Sequence, residues 1–371
     1  MIFKKPVLPV HFFSALIRTG FFIVFFSTSA RGGDAGTGPD TGLFVPITDN
    51  NYVRSFRNQP HFTFEFARRR QVISVRNASI DTLVLRFEPN TRTNFLASFD
   101  YKWLSLSIGL ISFDTRGGSR KGESNQFSLR ASFNGKRIWN TNFIQYFSGF
   151  YLANPQIADP AFNPAVDLFP SRSDVSTSTV FSNVYYCFRP ERFSYRAALW
   201  QIDRQEKSAG SFLAGASLRF YGMLADSGIT LIPDAVQPFY NPSQLVVAQR
   251  VSNFNFNVGY VHTFVYNKSW FATIYFVPGI SIQNSFFQAQ DQQIVRDPGQ
   301  IVGMSEFRII MGYNGEKWFG GISSYSISFS GNNAQSLWID NSYNWFRLFA
   351  GFRIKAPGPD RKAGFLERIG L

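Results

Sequence analysis

From about residue 80 to residue 354 the chain alternates between apolar and polar positions with a period of two. Along Ser211–Tyr221, Phe212, Ala214, Ala216, Leu218 and Phe220 occupy one set of positions, and Leu213, Gly215, Ser217, Arg219 and Tyr221 the other. A strand sends successive side chains to opposite faces, so this spacing predicts a strand with one apolar and one mixed face. Phe193–Gln201 precedes it across a charged, Gly-containing turn and is predicted as its hairpin partner. The same reading predicts strands at Leu83–Glu88, Asn94–Tyr101, Trp103–Phe113, Phe127–Asn134, Ile138–Phe147, Val180–Phe188, Phe254–Tyr260, Trp270–Ile282, Phe307–Tyr313, Ser324–Phe329 and Phe346–Ile354. Asn134-Gly135, Asn267-Lys268 and Asn314-Gly315 supply hairpin turns. His61–Phe66 alternates as well, as a periplasmic or first barrel strand, before Arg68-Arg69-Arg70 interrupts it as a solvated or headgroup-facing patch. Long loops are expected at Tyr151–Thr177, Leu224–Gln249 and 283–302.

Aromatic residues make up 18% of the chain, with 43 Phe, while charged residues are only 16% and the mean hydropathy is −0.10. The apolar residues are therefore spread out, and near the start Thr19–Ala30 is too short for a helical span of about 20 residues. Half-apolar strands in this number are what a transmembrane β-barrel requires, and backbone in a bilayer must close on itself to pair every group. The fold class expected is all-β, an antiparallel transmembrane β-barrel with long outer loops and short periplasmic turns. Thirteen strands are counted from Leu83, whereas single-chain bacterial barrels have an even number. Twelve follows if Leu83–Glu88 is left out of the wall, fourteen if a strand lies near Ile229–Ile232. The short turns at 134–137 and 189–192 also disagree in phase with those at 267–268 and 314–317.

Residues 1–30 read as a secretory signal peptide: Lys4, Lys5 and Arg18, then the apolar Gly20–Phe26, then Ser27-Thr28-Ser29-Ala30. Its removal takes three basic and no acidic residues, lowering the net charge from +13 to +10. Residues 31–60 are expected as a flexible N-terminal periplasmic segment, 61–355 as an outer-membrane barrel and 356–371 as a basic C-terminal tail. The single Cys187 forms no internal disulfide and reads as a small apolar strand residue.

Several phrases resemble a known family: Asp49–Tyr52, Arg86-Phe87-Glu88-Pro89-Asn90, Tyr101-Lys102-Trp103-Leu104, Ser171-Arg172-Ser173-Asp174 and Leu231-Ile232-Pro233. The most specific stretch is Arg192–Leu213, with Arg-Phe-Ser-Tyr-Arg-Ala-Ala and Gln-Glu-Lys-Ser-Ala-Gly-Ser-Phe-Leu. The likeness runs in order from about Asp49 to Lys355 and is to the uncharacterised outer-membrane barrel family of Bacteroidota known as domain of unknown function 4421. It implies an outer-membrane location and a barrel fold. It brings no activity, cofactor or catalytic residue.

Candidate chemistry is sparse. His11 lies in the leader, and His61 and His262 are far apart, so no zinc-ligand spacing appears. Nothing near His262 reads as an activated serine. Gly117–Gly122 lacks the Lys-Ser/Thr ending of a phosphate loop and reads as a plain loop. No catalytic residue, cofactor or metal is expected, and export argues against a nucleic-acid partner. The distinctive feature is basic: Arg130, Arg196, Arg219, Arg308, Arg347 and Arg353 fall opposite apolar positions, hence toward the lumen. On the lipid side near mid-bilayer each arginine would cost ~2–4 kcal/mol. Either they pair with inward carboxylates such as Glu306 and fill the barrel, or they line a pore that prefers small anionic solutes. The leading expectation is a narrow channel or passive transporter in contact with outer-membrane lipid. A self-plugged structural or assembly barrel is the alternative, and a lipid-modifying enzyme the third reading.

Overall fold

The computed structural model describes residues 51–355 apart from 78–79, 81, 91–92, 103, 114–119, 292 and 330–336. The leader 1–30, the segment 31–50 and the tail 356–371 lie outside the described residues, as do 117–119 of Gly117–Gly122. The chain forms β1 (Val53–Ser55), β2 (His61–Asn77), β3 (Val84–Glu88), β4 (Thr93–Tyr101), β5 (Leu104–Phe113), β6 (Asn125–Asn134), β7 (Ile138–Leu152) and β8 (Ser171–Cys187). A short helix α1 (Tyr195–Leu199) follows, then β9 (Asp203–Gln205), β10 (Ala209–Ala225), β11 (Val246–Tyr266), β12 (Trp270–Ala289), β13 (Ile294–Asn314), β14 (Trp318–Phe329) and β15 (Leu337–Arg353).

Twelve of these strands close an antiparallel barrel, because β15 returns to pair with β2 along its whole length, from Leu337 against Asn77 to Arg353 against His61. The wall runs β2, β4, β5, β6, β7, β8, β10, β11, β12, β13, β14, β15. Of the two numbers left open by the sequence, about twelve with fourteen possible, twelve is found, but its members differ. His61–Phe66 belongs to the wall, and β2 continues straight through Arg68-Arg69-Arg70, whose parity sends only Arg69 inward. Leu83–Glu88 contributes the short β3, which bridges the end of β2 to the end of β7 above the three short strands β4 to β6. Phe193–Gln201 is not a strand at all. Dropping it removes the conflict in phase: the turns after β4, β6, β11 and β13 and the β8–β10 connection all lie at one end. The longer connections 153–170 and 226–245 lie at the other, which places the short turns at the periplasmic face. The predicted loop at 283–302 is mostly strand, since β12 and β13 continue to Ala289 and from Ile294.

On β14, β15 and β2 the outer face changes character part-way up. From the periplasmic end, β14 presents Trp318, Gly320 and Ile322 outward, then Ser324, Ser326 and Ser328. On β15, Phe352, Ala350, Leu348 and Phe346 give way to Asn344 and Ser342; on β2, Phe62, Phe64 and Phe66 give way to Arg68 and Arg70. A bilayer needs about 9–11 strand residues, so strands of 17 to 21 residues overrun it. Above the apolar band the polarity reverses. Tyr325, Ile327 and Phe329, read in sequence as the apolar outer face, point inward and pack with Phe181 and Met304. On this side the upper part is thus built like a water-soluble barrel, wet outside and oily inside.

Candidate functional site

Eight-stranded barrels are filled by their wall side chains, whereas larger ones leave space. Here the chain itself fills the twelve-stranded interior at both ends. At the outer end the 226–245 connection folds in, burying Leu231, Ile232, Val236 and Tyr240 among Ile73, Val75, Phe147, Val175 and Met223, with Leu85 and Phe87 of β3. Burial pushes the Tyr240 hydroxyl up to about 12, so it stays neutral.

At the periplasmic end residues 188–208 turn into the lumen instead of forming a hairpin. Ser194 caps α1, its Oγ accepting from the Ala197 amide at 3.1 Å. The same hydroxyl donates to Asp203 Oδ2 at 2.6 Å, Arg196 Nε donates to that oxygen at 2.8 Å, and Ser55 donates to Oδ1 at 2.7 Å. Asp203, 1% exposed, therefore ties the helix, β9 and the N-terminal β1 together. Phe193, Leu199, Trp200 and Ile202 pack against Trp139, Tyr275, Phe319 and Phe349 of the wall. Returning those four side chains to water would cost on the order of 6–12 kcal/mol, at about 1.5–3 kcal/mol each.

Between the two plugs lies a polar layer. Glu65, 1% exposed, accepts from Arg347 Nη1 at 2.8 Å and from Arg130 Nη2 at 3.4 Å. Arg347 also donates to the Leu199 carbonyl at 3.1 Å, joining this layer to the periplasmic plug. Glu306 is held by three phenols, Tyr185 at 2.7 Å and Tyr275 and Tyr325 at 3.2 Å each. Arg69 donates to Ser128 Oγ and lies over Trp345. A cavity of about 40 Å³ opens among Arg69, Arg130, Arg308, Trp200, Tyr343 and Glu306.

The six arginines singled out in the sequence do not form one ring. Arg130 and Arg347 share Glu65, and Arg308 lies over Tyr325 beside the cavity. Arg219 sits higher, donating to Asn253 Oδ1 at 3.3 Å and lying over Phe329. Arg353 lies at the periplasmic end and donates to the carbonyls of Gln201 and Gly315 and to Asn314 Oδ1, each at 2.5 Å. Arg196 is on α1 rather than on a strand. Glu306, expected as an arginine partner, is bound by tyrosines instead, because Tyr185, Tyr275 and Tyr325 reach it from three strands. The sequence reading did not single out Glu65, Arg69 or Asp203, although the parity of β2 carries Glu65 and Arg69 inward. Cys187 is buried and donates to Ser211 Oγ at 3.3 Å. His262 meets Tyr260 at 3.2 Å on the outer wall, and among the described residues no three His, Cys, Asp or Glu side chains cluster as metal ligands.

Residues 47–354 match the family described as Domain of unknown function (DUF4421). The chain belongs to that family. The stretch that resembled it most, Arg192–Leu213, is the inward plug and the start of β10. No curated protein matches the chain. Among solved structures, it is similar to the outer membrane protease OmpT from Escherichia coli, at 7% identity over 81% of this chain and 98% of that one, with a TM-score of 0.34. An outer membrane channel from Pseudomonas putida F1 gives 10% identity, 83% and 100% coverage and a TM-score of 0.32. The P. putida toluene transporter TodX gives 9%, 80% and 90%, and 0.30. The barrel fold itself stands on the closed strand pairing.

Proposed function

We propose that this member of the DUF4421 family is a closed structural or assembly barrel that carries no steady current and catalyses no reaction. One observation carries the reading: the chain's own 188–208 and 226–245 segments occupy the two ends of the lumen, with the Glu65–Arg130–Arg347 network between them. The narrow-channel reading needs a continuous path past Trp200 and Tyr240, and the cavity between the plugs holds only about 40 Å³. Planar-bilayer recording of the refolded protein tests this. A silent membrane is expected, and a steady anion-selective current would return the channel to first place.

A further inference from the structure

The polar layer holds more positive charge than its carboxylates balance. Arg69, Arg130, Arg308 and Arg347 face the lumen there, against Glu65, Asp100 and Glu306, and Arg219 lies above them. Glu65 is taken by Arg130 and Arg347, and Glu306 by its three tyrosines. The phenols leave the Glu306 charge in place beside the cavity, but neither Arg69 nor Arg308 makes a direct ion pair with a carboxylate. Arg69 is 5% exposed, its Nε has no hydrogen-bond partner, and its guanidinium lines the cavity. The Arg308 Nε is likewise buried and unpartnered, on a side chain that lines the same cavity over Tyr325 at 4.3 Å. Arg130 lines the cavity too, over Trp200 at 4.3 Å. Buried cations of this kind cost several kcal/mol apiece unless a counter-charge meets them.

We infer that the cavity between Arg69, Arg130 and Arg308 binds one small inorganic anion. Its chemistry is that of a compact hydrogen-bond acceptor for guanidinium groups, a halide or inorganic phosphate, with Gln145, Asn183 and Tyr343 also lining the space. The volume suits it: about 40 Å³ corresponds to a few water-sized positions at ~10–15 Å³ each, too little for an organic acid with a chain. Flanked by plugs on both sides, the anion is taken up on folding and exchanges slowly. Slow exchange rests on the closed barrel proposed above, whereas binding itself does not, so the Tm in each refolding salt reads binding apart from retention.

The test refolds the full chain in detergent in sodium chloride, sodium phosphate or sodium gluconate at equal ionic strength. Each sample is passed into gluconate buffer, the retained anion is measured by ion chromatography, and thermal unfolding is followed. Close to one equivalent of chloride or phosphate is expected to remain, with a higher Tm than in gluconate, and whichever anion is retained identifies the ligand. In Arg308→Gln, and independently in Arg69→Gln, retention should fall below about a tenth of an equivalent, as a bound anion stabilises only the state that holds it. Equal Tm values in all three salts with no retained anion in the wild type would overturn the inference. So would undiminished retention in either folded variant. Wild-type retention decides the matter alone if neither variant folds.

Discussion

Replacing Glu65 by Gln keeps the size and shape of the side chain and removes its charge. The carboxylate is 1% exposed and sits 2.8 Å from Arg347 and 3.4 Å from Arg130. At an exposed ion pair this exchange would cost ~0–1 kcal/mol. Here it strands two guanidinium groups in the interior and adds an amide that itself donates, so a loss of ~3–5 kcal/mol is expected. Arg347→Gln should also destabilise, because it frees Glu65 and releases the Leu199 carbonyl of the plug. In the double variant the Glu65 and Arg347 charges disappear together and only Arg130 is left unpaired, so its loss should fall short of the summed single losses by ~0.5–3 kcal/mol. Urea unfolding in lipid vesicles measures all three, with Trp200 and Trp345, both against Arg130, reporting the network directly. A Glu65→Gln loss below ~1 kcal/mol would refute the argument. It would mean that water screens this layer, and a water-filled lumen would revive the pore.

Other outcomes follow from the same geometry. Exchanging residues 193–205 for a short Gly/Ser linker should turn a silent barrel into a conducting one; if the variant folds and stays silent, the periplasmic plug is not the barrier. Phe64→Arg, inside the apolar band, should cost ~2–4 kcal/mol in vesicles, whereas Ser326→Arg, above it, should cost ~0–1 kcal/mol, and equal losses would mean the band is misplaced. Cys187, buried on the inner face, should react with a maleimide only after unfolding, and rapid labelling of the native protein would contradict its placement.

The wall was legible because period-two alternation is a direct consequence of strand geometry, and β10 to β13 follow it almost residue for residue. Phe193–Gln201 misled because Phe193, Tyr195, Ala197 and Leu199 alternate with smaller or polar residues, while the Ser194 cap and Ala197-Ala198 carry a helical signal too short to outweigh it. The Asp203 partners lie at sequence separations of seven to 148 residues, so no local pattern announces them. Arg68-Arg69-Arg70 misled for another reason. A run of charge reads as a solvated or headgroup-facing patch when every residue is assumed to share one environment, yet parity gives Arg69 the interior and its neighbours the outside.

The reversal of polarity along single strands explains why one end of the lumen needs the chain to fold back into it. In the band, lipid takes the outward Phe, Ile and Leu, and the inward positions are free to be polar, which is where Glu65, Arg130 and Arg347 sit. Above the band water takes the outward serines of β14, so the apolar residues must turn inward and need partners there. The wall alone cannot supply those partners across twelve strands, and Leu231, Ile232, Val236 and Tyr240 provide them. The outer plug is thus a hydrophobic core in the ordinary sense, while the periplasmic plug is held by buried charge and hydrogen bonds as well. A ligand or partner that opened this barrel would meet less resistance from below, where competition for Asp203 or Glu65 can replace the bonds it breaks, than from above, where nothing replaces buried area.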